Sequence, residues 1–173
     1  MSSREEALEQ MRAGYGQISE ALATVPRERL TEPGVVGEWS LRDVLAHFAG
    51  YERYLSGEVL ATLQGRAATN EELYGRPDAP TPADDIDENT SNAWVVARAR
   101  RQPVDAVLED FATAHHRLVA AVEACDDDEF EDPARFASFD GRSLASVLPN
   151  QCWAHYAQHL PDILRWRDAT AAR

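Results

Sequence analysis

Apolar side chains recur along this chain at alternating steps of three and four, a spacing that favours helices and leaves little room for sheet. The first such stretch runs Leu8, Met11, Tyr15, Ile18, Leu22 and Val25, and Pro26 with the polar residues up to Pro33 ends it. Residues 33–38 read as a loop. Ser40, with Asp43 three residues later, then forms a capping-box start for a second helix. Its stripe is Leu41, Val44, Phe48, Tyr51, Leu55 and Val59, and it is expected to end near Gly65. A third helical stretch, from about Asp84 to Arg101, carries Ile86, Trp94, Val95 and Ala97, with polar Asn89 and Asn92 among them. Pro103 suits the first turn of the next helix, whose stripe is Val104, Val107, Leu108, Phe111, His115, Leu118 and Val122. Ser143 is the expected N-cap of the last helix, with Leu144, Val147, Leu148, Gln151, His155, His159, Ile163 and Trp166 on its inward side. Pro149 and Pro161 each remove a backbone donor there, which predicts a late start or bend near Pro149 and a kink just after His159.

Alternating β-branched runs are missing, so no strand is expected. The predicted architecture is all-α: one domain over residues 1–173, a four-helix bundle with one extra or broken helix. A long irregular loop, residues 66–83, joins the second and third helices, rich in turn formers such as Gly75, Pro77 and Pro80.

Charge narrows the partners. Thirty acidic residues against 17 basic ones give a formal charge of −13, the wrong sign for a nucleic-acid surface or for anionic lipid. No apolar run is long enough to cross a bilayer and no signal peptide opens the chain, which reads as cytoplasmic. Cys125 and Cys152 are too few for a disulfide framework and read as free thiols. The acidic run Asp126–Asp132 reads as a solvated loop.

The chemistry concentrates in histidine. On a helix, His155 and His159 stand one turn apart on one face, where two imidazoles can chelate one divalent cation. A catalytic site needs a third protein ligand, and His47, beside Val44 and Tyr51 on the inward side of the second helix, is the best candidate. Zinc, nickel, iron and manganese would all accept such a set. His115 also lies on an apolar stripe, either as a further ligand or, the preferred reading, as a core residue. Gln151, one turn before His155, could reach a water at the metal or simply satisfy nearby backbone. Trp39 and Tyr51 are pocket-lining candidates, although most aromatics here are expected in the core. Glu52 is either a general base at the bundle mouth or, more simply, half of a surface ion pair with arginine.

Trp39-Ser-Leu-Arg-Asp-Val-Leu-Ala-His47, followed late in the chain by His155-x-x-x-His159, resembles the DinB/YfiT-like superfamily. Its related branches include the mycothiol-dependent maleylpyruvate isomerases and the ClbS/DfsB group. The resemblance implies a four-helix bundle, often dimeric, with a divalent metal on one histidine of the second helix and two of the last, here His47, His155 and His159. It also implies a thiol-dependent transferase or isomerase using mycothiol or bacillithiol, or a metal-dependent hydrolase, acting on a small electrophile. The alternative is a metal-free small-molecule binding or self-resistance protein of the ClbS/DfsB type.

Overall fold

The computed structural model describes residues 3–76 and 88–171, without the side chains of residues 88, 89, 170 and 171. Residues 77–87, with the expected positions of Ile86 and of the later part of the 66–83 loop, lie outside that description, as does the side chain of Asn89.

The fold is all-α with one small sheet. Helix α1 (Ser3–Ala23) is followed by a short 3-10 turn (Arg27–Thr31), strands β1 (Pro33–Val36) and β2 (Trp39–Ser40), and α2 (Leu41–Leu63). Then come α3 (Asn70–Tyr74), α4 (Glu88–Ala99), α5 (Val104–Ala124), α6 (Asp127–Glu131), α7 (Leu144–Gln151) and α8 (Trp153–Ala171). Helix α2 is the centre: it packs most extensively on α5 and also meets α3, α4 and α8, while α1 lies across α8 and α5. Met11, Ile18, Val44, Phe48, Leu118, Leu148 and Tyr156 are among the buried residues between them. No helix of the described residues is long and apolar enough to cross a membrane.

Local chemistry explains most boundaries. The Asp43 N–H donates to Ser40 Oγ at 3.3 Å and the Ser40 N–H to Asp43 Oδ2 at 3.0 Å, so the expected capping box opens α2. Ser143 caps α7 by accepting from the Ser146 N–H, and Pro103 directly precedes α5. Both cysteines are free and buried.

Several expectations are corrected. The segment read as a loop forms an antiparallel ribbon, with Pro33 opposite Ser40 and Val36 opposite Trp39. Gly37, at φ 55°, turns the chain between the strands, and so short a ribbon leaves no periodicity to read. Trp166 Nε1–H donates to the Pro33 carbonyl at 3.3 Å, tying the ribbon to α8. The 66–83 loop contains α3, started by a Thr69–Glu72 capping box and ended by Gly75 at φ 74°. A Cβ at Gly57 would come within 2.8 Å of the Glu72 carbonyl oxygen, so only glycine lets α3 lie this close on α2. The acidic run is not wholly loop: Asp126 and Glu129 cap α6, which buries Phe130.

The proline expectations divide. The chain breaks at Cys152, three residues past Pro149, where φ −135° and ψ −103° separate α7 from α8. Pro161 instead sits inside a continuous α8. The carbonyl it leaves without a donor belongs to Ala157, on the exposed side of the helix, where water can take the place of the missing N–H.

Candidate metal centre and adjoining cavity

Helix α2 supplies His47, two turns into the helix that Ser40 starts, and α8 supplies His155 and His159. The three offer ligand atoms that all lie within 4.8 Å of one another. Their rings are 4.7 Å (47 to 155), 5.5 Å (47 to 159) and 5.2 Å (155 to 159) apart between centroids. His47 and His155 are buried and His159 is half-buried. The geometric expectation from spacing therefore holds: the three imidazoles meet.

His47 Nε2 stands 2.9 Å from His155 Nε2, and His47 Nδ1 stands 3.0 Å from Asn92 Oδ1. The amide oxygen accepts only, so the proton belongs on His47 Nδ1 and the Nε2 lone pair faces the other imidazoles. His155 Nδ1 is buried with no partner among the described residues. Burial first, then the neighbouring His47 and His159, push His155 down to about 3. Burial likewise lowers His159, against the pull of Asp162. At neutral pH both rings are uncharged, the form that binds metal.

Of the two aromatics expected to line a pocket, Tyr51 lines the cavity beside His47, whereas Trp39 packs on His47 without lining it. Trp39, carried in by β2, is 5.1 Å from His47, and Tyr51 is 4.9 Å from His47 and 4.7 Å from His155. Beside His47 opens a cavity of 230 Å³ lined by Tyr51, Tyr54, Tyr74, Trp94, Asn92 and Gln151, among others. Trp39, Tyr51, Tyr54, Trp94 and Trp153 are half-buried rather than core; only Trp166 among the tryptophans is buried. The Tyr74 hydroxyl is buried without a partner among the described residues, and burial, then Tyr54 and Glu58, raise it to about 12, so it stays a donor. Gln151 reaches this cavity from α7 rather than from one turn before His155 on the same helix, because the break at Cys152 comes between them.

Glu52 is the main correction. It is neither at the mouth nor paired with a surface arginine: it is fully buried. Its Oε1 accepts from Tyr156 O–H at 2.5 Å, Cys152 Sγ–H at 3.2 Å and His115 Nδ1–H at 3.2 Å. The sequence did hold the signal. Phe48, Glu52, Leu55 and Val59 keep the four-three-four spacing, so Glu52 occupies the inward slot that was assigned to Tyr51. His115 is core, as preferred, stacked on Tyr15 at 4.1 Å. Asn92 is the site residue that sequence reasoning passed over. One polar residue among several on a weakly periodic helix carries no mark of the imidazole it will meet.

Residues 11–158 match the family model of the mycothiol maleylpyruvate isomerase N-terminal domain. No curated protein matches the chain. Among solved structures, an uncharacterised protein from Escherichia coli UTI89 superposes with a TM-score of 0.79 at 12% identity, covering 99% of this chain and 96% of that one. At that identity the likeness is one of fold alone.

Proposed function

Since this chain belongs to the mycothiol maleylpyruvate isomerase N-terminal domain family, we propose that it is a metal-dependent enzyme that joins a low-molecular-weight thiol, or water, to a small electrophile. His47, His155 and His159 would hold one divalent cation: zinc, nickel, iron or manganese. The observation that carries this reading is the convergence of three imidazoles, those of His155 and His159 uncharged at neutral pH, beside an aromatic cavity. The donor set fits such an ion, because neutral imidazole is the ligating form and three such ligands leave a position open. The ion would supply Lewis acidity, lowering the pKa of a thiol or water next to it so that a nucleophile is available at neutral pH. Asn92 holds the His47 tautomer, Tyr51 and Trp39 wall the imidazoles, and Tyr74 offers a hydroxyl to the bound substrate. Mycothiol is the thiol that the family's name suggests, with bacillithiol the same chemistry; transferase, isomerase and hydrolase outcomes differ only in what accepts the nucleophile.

A second reading is favoured by the direct His47–His155 hydrogen bond, which leaves the site largely self-satisfied without an ion. In it the cavity simply binds and sequesters a small molecule, as in the ClbS/DfsB type. Elemental analysis of untagged protein, before and after incubation with zinc, nickel or manganese, separates the two. The enzyme reading expects metal that His155→Ala and His159→Ala each release; protein whose metal content ignores both substitutions would overturn it. The binding reading expects His155→Ala to keep ligand affinity while Trp39→Ala or Tyr51→Ala weakens it.

A further inference from the structure

A second polar cluster lies away from the cavity, in the middle of the bundle. Glu52 of α2, His115 of α5 and Cys152 at the α7–α8 break are all buried, and their ligand atoms lie within 4.8 Å of one another. We propose that these three residues form a second, buried divalent-metal site of thiolate–imidazole–carboxylate type, suited to zinc and distinct from the three-histidine centre.

The distribution of hydrogen bonds around Glu52 is the first argument. Its Oε1 takes three donors at once, whereas its Oε2, equally buried, has no partner among the described residues. A carboxylate kept only for polar satisfaction would spread its donors over both oxygens, since an unmet buried acceptor costs about 1–3 kcal/mol. A cation held by this carboxylate together with Sγ and Nδ1 would answer that orphan.

Charge is the second. Carboxylate, thiolate and neutral imidazole together balance one divalent cation, so the loaded cluster is electrically neutral. On binding, the Cys152 proton leaves to solvent, the His115 proton passes from Nδ1 to Nε2, and the sulfur and Nδ1 lone pairs go to the ion. Without the ion, burial and Glu52 push the thiol well above its ordinary range, so it stays protonated. A mixed set of thiolate, imidazole and carboxylate is one that zinc accepts.

Geometry is the third. The spacings of Sγ and Nδ1 from Glu52 Oε1, each 3.2 Å, approach those between ligands around one ion with bonds of about 2.0–2.3 Å. The groups also come from different parts of the fold, with Tyr15 of α1 stacked on His115 and the Tyr156 hydroxyl of α8 hydrogen-bonded to Glu52. Phe48 stands beside both sites: its ring lies 5.1 Å from His155 and 4.8 Å from Tyr156.

Cobalt(II) alone, supplied during expression or refolding because the site is buried, is the probe. A thiolate–cobalt charge-transfer band in the near ultraviolet is expected in the wild type, in Cys125→Ser, and in the His155→Ala/His159→Ala double variant. It should vanish in Cys152→Ser and weaken at least roughly tenfold in metal affinity in Glu52→Gln, which keeps the shape of the side chain. Absence of the band from the wild type, or its survival in Cys152→Ser, overturns the proposal. So does a Glu52→Gln protein that folds and binds cobalt as the wild type does. Loss of metal from the histidine variants alone bears on the open site and leaves this one untouched.

Discussion

His47 owes its orientation to Asn92, and removing that amide tests how much the orientation matters. Asn92→Ala should weaken metal binding at the histidines roughly 10–100-fold while leaving the fold intact, measured by competition with a chromophoric chelator. An unchanged affinity would mean the ring is held by packing against Trp39 and Tyr51 alone. His155 makes a separate prediction for metal-free protein. Its folded value of about 3 lies below the ordinary value of about 6.5 for an unfolded chain. The unfolded state therefore binds more protons between those values, and stability should fall as pH drops through that window. Urea melts of wild type and His155→Gln would show it: the variant should lose part of the slope, and equal slopes would contradict the assigned burial. Asp43 acts in a more acidic window. Burial works to raise it, but the Arg100 guanidinium and the Ser40 N–H and hydroxyl outweigh burial and hold it below its ordinary value. Its contribution is present above that value and is lost as pH falls further.

Helix α2 depends on its first turn and on one bare backbone position. Ser40→Ala removes the side-chain half of the capping box and should cost about 1 kcal/mol in chemical denaturation. The same change should loosen Trp39, since the ribbon ends at the residue that caps the helix. Gly57→Ala drives a methyl into the Glu72 carbonyl oxygen at 2.8 Å, a backbone atom that cannot step aside cheaply. A loss of about 1–3 kcal/mol is expected, with faster amide exchange in α3; stability equal to wild type would show that α3 does not rest on α2 in solution.

Over the whole molecule, the two polar clusters share one aromatic neighbour. Phe48 touches His155, His159, Phe111 and Tyr156 with ring centroids between 4.8 and 6.1 Å apart. Phe48→Ala should lower stability by about 3–5 kcal/mol. It should also reduce metal affinity at the histidines, because the rings lose the wall that limits their rotation. Calorimetry with and without added zinc reads both; a variant that loses stability but gains the same thermal shift from zinc would separate packing from site geometry.

The helices, their caps at Ser40 and Ser143, the stop after Leu63 and the convergence of His47 with His155 and His159 were legible in the chain itself. Each is a local matter: a cap acts within one turn, and a histidine on an inward stripe must face the core. What faces it there is not local. That Asn92 meets His47, and that Glu52 meets His115 and a Cys152 placed at a helix break, were decided by how α2, α4, α5 and α8 pack. Periodicity records which side of a helix is buried, whereas the partner across the interface depends on the relative register of elements tens of residues apart.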